Sequence, residues 1–154
     1  MAVSPIPQGY RTVTAYLIVN DAAKAIEFYK EAFGAEELFR FPMPDGKLAH
    51  AEIKVGDSIV MLADAMEGFR DPHAIGGTPV SFMVYVTDVD RVFAQAIAAG
   101  AKQLRPVENQ FYGDRTGTLA DPFGHVWSIA THVEDVSPDE LNARHDKYLA
   151  EQKA

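Results

Sequence analysis

The feature that most constrains this chain is that it reads twice. From Tyr10, "YRTVTAYLIV" is β-branched and aromatic, as a strand would be. "NDAAKAIEFYKEAFG" then changes to helical spacing, with Ala22, Ala25, Ile26, Tyr29 and Phe33 on one stripe, Asn20 or Asp21 as a cap and Gly34 as a stop. Three short strands follow, "AEELFRF", "KLAHAEIKV" and "DSIVMLA", separated by the turn signals "MPDGK" and "VGD". The second half repeats this βαβββ order with "PVSFMVYVTD", "VDRVFAQAIAAGA", "KQLRPV", "FYGDRTGTLA" and "HVWSIATH". Val19-Asn20-Asp21 recurs as Val86-Thr87-Asp88, 67 residues on, and Gly34-Ala35 as Gly100-Ala101, 66 on, so one residue is lost within the helix. Duplication of one module is the economical explanation.

Each half alone would leave a sheet face bare, so the expected organisation is one α+β domain over residues 1–154. It comprises module one at 10–66, a Gly/Pro-rich linker at 67–78, module two at 79–132 and a terminal helix at 137–151. Ser137, Pro138 and Glu140 occupy the N-cap, N1 and N3 places of a capping box at that last helix. A length of 154 residues with 47% apolar and 23% charged content suits one soluble globular unit.

A formal charge of −8 without clustered Lys or Arg argues against nucleic acid or an anionic membrane as a partner. With no cysteine, disulfides, thiolate nucleophiles and Cys-bound zinc are excluded. The start lacks a signal-peptide pattern and no apolar run reaches a membrane span, so a cytoplasmic location is expected. "VGDSIV" and "AIGGTP" lack the strand-GxGxxG-helix context of a nucleotide site, and no Ser-His-Asp arrangement is visible.

Alternation divides each strand into two faces. Ala49, Ala51, Ile53 and Val55 suit packing under a helix, leaving Leu48, His50, Glu52 and Lys54 on the other face; the first strand leaves Thr14, Tyr16 and Ile18, and the fifth Ser81, Met83 and Tyr85. Hydroxyls, aromatics, Met, His and Glu on one face are the lining of a mostly apolar ligand cleft with a few orienting polar groups. His50 and Glu52, at i and i+2, share a face and could act as an acid/base pair or as two metal ligands, with Asp64, His125 or a partner chain needed for further donors. Arg115 could clamp a carboxylate or phosphonate at the cleft mouth, or pair with Asp114, Asp121 or another surface acid. Tyr112 could stack on a planar ligand or pack across strands. His125 is placed to donate to carbonyls of the "DPFG" turn, and Trp127 reads as core.

Paired βαβββ modules, with "FYKEAFG" ending the first helix and "DPFGHVW" opening the last strand, resemble the vicinal oxygen chelate superfamily of glyoxalases, extradiol dioxygenases and bleomycin-resistance proteins. Within it "HAEIKVGDSIVMLAD" and "FYGDRTGTLADPFGHVWSIATH" look most like the PhnB-like branch. The resemblance implies a curved, partly open barrel-like sheet around a cleft, often completed by a second chain, hence a homodimer. It also implies metal ligands, in metal-dependent members, on the first, fourth, fifth and eighth strands. Those positions fall here on Thr14, Met61, Ser81 and Ser128, none a normal ligand for a hard divalent cation. No cofactor is therefore expected. The favoured function is metal-independent binding of a small, partly planar organic molecule, with Tyr16, Met61, Met83 and Tyr85 as its apolar surface and His50, Glu52, Ser81, Ser128 and Arg115 as polar anchors. The alternative is a lyase or isomerase using His50 and Glu52 or a relocated divalent metal.

Overall fold

A computed structural model describes residues 2–154. Module one runs β1 (Ala15–Val19), α1 (Ala22–Phe33), β2 (Glu36–Pro42), β3 (Leu48–Val55) and β4 (Ser58–Asp64); a short helix α2 (Pro72–Ile75) then breaks the linker. Module two runs β5 (Ser81–Tyr85), α3 (Val89–Ala98), β6 (Lys102–Asn109), β7 (Asp114–Ala120) and β8 (Val126–His132), and α4 (Pro138–Gln152) follows. The first strand is shorter than its β-branched run, and Tyr10 lies in a turn ahead of it, its N–H donated to the Pro7 carbonyl at 3.1 Å.

The two sheets have the same order, β1-β4-β3-β2 and β5-β8-β7-β6, with the first pair of each parallel and the others antiparallel. The duplication holds at the level of register. Ala15 opposite Val60 recurs as Phe82 opposite Trp127, each 67 residues on, whereas Phe39 opposite Glu52 recurs as Arg105 opposite Thr118, each 66 on. The residue lost through the shorter α3 is regained in the "DPFG" hairpin between β7 and β8. Even the helix entries correspond: Asp64 Oδ1 accepts from the Ala22 N–H at 2.9 Å, and Thr131 Oγ1 accepts from the Val89 N–H at 2.9 Å.

Each helix covers one face of its own sheet. Asp21 caps α1 by accepting from the Lys24 N–H, and Gly34 ends it in the left-handed region at φ +66°, which favours glycine. Asp88 caps α3 in the same way. Gly117 answers a different need, because a Cβ there would lie 2.8 Å from both Phe93 of α3 and Val107 of β6. The modules are joined on the helix side by one continuous hydrophobic cluster that includes Leu17, Ile26, Leu62, Phe93, Leu119 and Ile129. Tyr29 and Phe33 place their rings 5.5 and 5.0 Å from Trp127, and the Gln95 amide donates to the Glu31 carbonyl at 2.6 Å. Among the described residues no strand pairing joins the two sheets, so one chain forms no closed barrel.

None of α4 is buried. It is held by Arg144, whose guanidinium forks onto Glu134 at 2.8 and 2.6 Å and reaches Glu140 and the Phe111 carbonyl, while Tyr148 and His145 lie against the Phe111 ring. Ser137 caps the helix as expected, but Glu140 turns to Arg144 rather than completing the reciprocal half of the box.

Candidate functional site

With α1 covering one face of the first sheet, alternation sends Tyr16, His50, Glu52 and Met61 to the other. Register places them in rows: Phe39, Glu52, Met61 and Tyr16 follow one another across β2, β3, β4 and β1, with Phe41 opposite His50 in the next row. The Tyr16, Phe39 and Phe41 rings surround His50 at centroid distances of 5.4, 5.9 and 6.1 Å. Tyr16 is 47% exposed and Phe41 58%, an unusual exposure for large aromatics in strands of a folded sheet.

Below them Glu52 is only 2% exposed. The segment before β1 folds back over the open face, Gly9 beside Ile59 and Tyr10 donating its hydroxyl to Glu52 Oε2 at 2.5 Å. His50 Nε2 lies 3.5 Å from Glu52 Oε1, and His50 Nδ1 is 2.7 Å from the Tyr16 hydroxyl. The four groups form one chain, Tyr10–Glu52–His50–Tyr16. Both phenols are held above their usual pKa, Tyr10 chiefly by its hydrogen bond to Glu52 and Tyr16 chiefly by loss of hydration, with the Glu52 charge adding to each.

The open face of module two is built differently. Ser128 is opposite Met83 on one side and hydrogen-bonds Thr118 on the other at 2.9 Å. Nearer the end of β5, Tyr85 donates to Asp114 Oδ2 at 2.8 Å, and Asp114 Oδ1 is 2.7 Å from His132 Nδ1. The other His132 nitrogen, Nε2, is 2.8 Å from Asp135. Thr14 stands just ahead of β1 and Ser81 at the exposed start of β5.

Several sequence expectations end elsewhere. Arg115 is not on the open face: it shares parity with Gly117 and Leu119, points to the helix side and forks onto Asp90 of α3, with both N–O distances 2.8 Å. Tyr112 lies in the turn ahead of β7 with its ring edge-on to Phe111. Asp64 is consumed by the backbone N–H groups of Ala22 and Leu48. His125 donates from Nε2 to the Ile18 carbonyl of β1 at 2.9 Å, tying the modules together rather than serving its own turn. Within one chain the expected partly open, barrel-like sheet presents two open faces; two hollows, about 480 Å³ between α4 and Phe111 and about 450 Å³ beside α1 at Lys24, Phe28 and Pro122, lie away from both. Tyr10, Phe39 and Phe41, which the sequence reading does not single out, join this candidate site. The alternation of Phe39 and Phe41 about Arg40 was a usable signal, whereas Tyr10 gave none, because a turn brings it to Glu52 across 42 residues.

This arrangement of paired βαβββ modules accompanies a match over residues 11–129 to the Glyoxalase/Bleomycin resistance protein/Dioxygenase superfamily. The chain belongs to that superfamily. A relative in Mycobacterium bovis, the uncharacterized protein Mb0911c, is 47% identical over 136 residues, covering 85% of this chain and 90% of its own. Among solved structures, TioX from Micromonospora sp. ML1 is 28% identical with a TM-score of 0.63, covering 82% of this chain and all of its own. A Bacillus cereus PhnB protein shares the fold at 20% identity and a TM-score of 0.62, covering 79% of this chain and 99% of its own.

The four positions onto which the resemblance would carry metal ligands hold side chains that are poor donors for a hard divalent cation. Thr14, Met61, Ser81 and Ser128 offer three hydroxyls and a thioether, and the Ser128 hydroxyl is engaged by Thr118. Among the described residues no three His, Asp or Glu side chains converge as a metal would require.

Proposed function

We propose that this member of the glyoxalase/bleomycin resistance superfamily, PhnB-like in type, is a cytoplasmic homodimer that binds a small, partly planar organic molecule without a metal. The site is the open face of module one. The reading rests on one observation: three partly exposed rings, Tyr16, Phe39 and Phe41, are gathered around a histidine above a buried carboxylate. Solvent-facing aromatics are unfavourable where nothing covers them, and a ring stacked on them removes apolar surface from water while the Tyr16 hydroxyl, itself held by His50, orients its polar edge. A second copy laid over the exposed Phe41, Met83 and Tyr85 would turn an open face into an enclosed cleft.

Nitrobenzene, planar and neutral, is a suitable probe for calorimetric titration. Saturable binding is expected, weakened about tenfold by Phe41→Ala or Phe39→Ala and unchanged by a chelator, since truncating one stacking ring costs about 1–2 kcal/mol. Binding that ignores both truncations, or that appears only with added divalent metal, would refute the reading.

A further inference from the structure

We propose that Tyr16, rather than His50, is the group that exchanges a proton with the bound molecule, and that the ligand is a planar ring bearing a weakly acidic hydroxyl. This rests on the module-one face being the binding site and adds the chemistry performed there.

The argument is one of accessible atoms. His50 Nδ1 is hydrogen-bonded to the Tyr16 hydroxyl at 2.7 Å and Nε2 is turned toward the buried Glu52 at 3.5 Å, so both nitrogens face neighbouring side chains. Rings on three sides close off the rest of the imidazole. Tyr16, 47% exposed, carries the hydroxyl that meets His50. Tyr16 is held above its usual pKa, chiefly by lost hydration and then by the Glu52 charge, and the relay takes its phenol O–H as the donor to Nδ1 at 2.7 Å. In that orientation the one N–H of a neutral imidazole is on Nε2, the nitrogen that faces Glu52 at 3.5 Å. Tyr10 in turn donates to the second Glu52 oxygen and holds the carboxylate in place.

In this arrangement Tyr16 is a relay and not a base in its own right. As the ligand hydroxyl gives its proton to the Tyr16 oxygen, the Tyr16 proton passes to His50 Nδ1. The ligand becomes an oxyanion, His50 becomes an imidazolium beside Glu52, Tyr16 remains a phenol and Glu52 remains a carboxylate, so charge and protons balance. The logic is that of a carboxylate-oriented histidine acting through a hydroxyl. Substrate class follows from charge. Glu52 disfavours a ligand that arrives as an anion, and the nearest cation along the strand, Lys54, is exposed one alternation further on. A neutral hydroxyl that ionises only after docking fits.

The test uses 4-nitrophenol, whose absorbance reports its own ionisation, beside nitrobenzene, which has the same ring and no hydroxyl. Bound to the wild-type chain, 4-nitrophenol should ionise with an apparent pKa about one unit below its free value, a tenfold gain in the oxyanion at a given pH. Tyr16→Phe should still bind both probes but lose that shift, and His50→Gln should lose it likewise. Tyr16 is 47% exposed, so circular dichroism should show Tyr16→Phe folded even if His50→Gln is not. Unshifted ionisation in the wild type, or an equal shift in Tyr16→Phe, overturns the relay. If nitrobenzene binds and 4-nitrophenol does not, the relay fails and the binding site stands; if neither binds, both fail.

Discussion

Asp121 shows how much one side chain of this protein does. It is 4% exposed and accepts four hydrogen bonds: from the Tyr29 hydroxyl, from Trp127 Nε1 at 2.9 Å, and from the N–H groups of Phe123 and His125 at 2.9 and 3.0 Å. In the sequence it is the first letter of a turn, "DPFG", and that role is real. Its second role, binding a tyrosine 92 positions earlier, depends on the docking of the two modules that brings Tyr29 of α1 beside Trp127 of β8. Asp121→Ala would leave four buried donors without an acceptor and should destabilise the fold by roughly 3 kcal/mol or more, read as a lower urea midpoint. A change below about 1 kcal/mol would mean that the network is dispensable. Charged residues are harder to place from sequence than apolar ones for the same reason: Arg115 had several acids within plausible reach, and only the docking of α3 selected Asp90.

At the scale of elements, one titrating ring adds to the attachment of the chain after β8, beside Arg144 and the backbone bonds of Val133 and Glu134 to the Gly113 carbonyl. His132 lies between Asp114 of β7 and Asp135 of the segment leading to α4, one carboxylate at each nitrogen, and Tyr85 of β5 meets the same Asp114. Neutral imidazole has one N–H and can satisfy only one of the two acids, so the full clasp requires the imidazolium. The hydrogen bond to Asp114, then that to Asp135, raises the His132 pKa above 6.5. A group whose folded pKa is raised adds stability that is fully present below its unfolded pKa and is lost as pH rises through the folded value. The segment from Val133 to α4 should therefore exchange its amide hydrogens faster as pH climbs from about 6.5, beyond the intrinsic rise, and His132→Asn should abolish that difference. Identical protection in wild type and variant across this range would sink the clasp. The strands themselves were legible from period-two alternation, and their recurrence in the second half from the offsets of 67 and 66 residues. Their ends were less so: Tyr10 continues the β-branched run yet turns out of it to reach Glu52.

For the whole molecule, the exposed rings on both open faces set the expectation for assembly. Phe41, Met83 and Tyr85 are 58%, 48% and 62% exposed, and each lies on a sheet face that its own chain leaves uncovered. Sedimentation at micromolar concentration should give twice the 16.9 kDa chain mass, and Phe41→Glu should shift the population toward the single chain by placing a charge in the contact. A wild-type species at 16.9 kDa alone would leave the open face as the complete site, with no second copy to enclose it.

Sequence by itself determined the parts that depend on local periodicity: two βαβββ modules, their caps and turns, the face of each strand that meets a helix, and the pairing of His50 with Glu52 on one side of β3. Superfamily membership followed from the same repeated pattern. Only the tertiary structure decided which polar groups meet. The fold-back of Tyr10 onto Glu52, the turning of His125 to the Ile18 carbonyl and of Arg115 to Asp90, and the gathering of Phe39 and Phe41 around His50 all depend on how separate elements dock. Alternation is a property of a few neighbouring residues, whereas a hydrogen bond across 42 or 107 positions is a property of the packed chain.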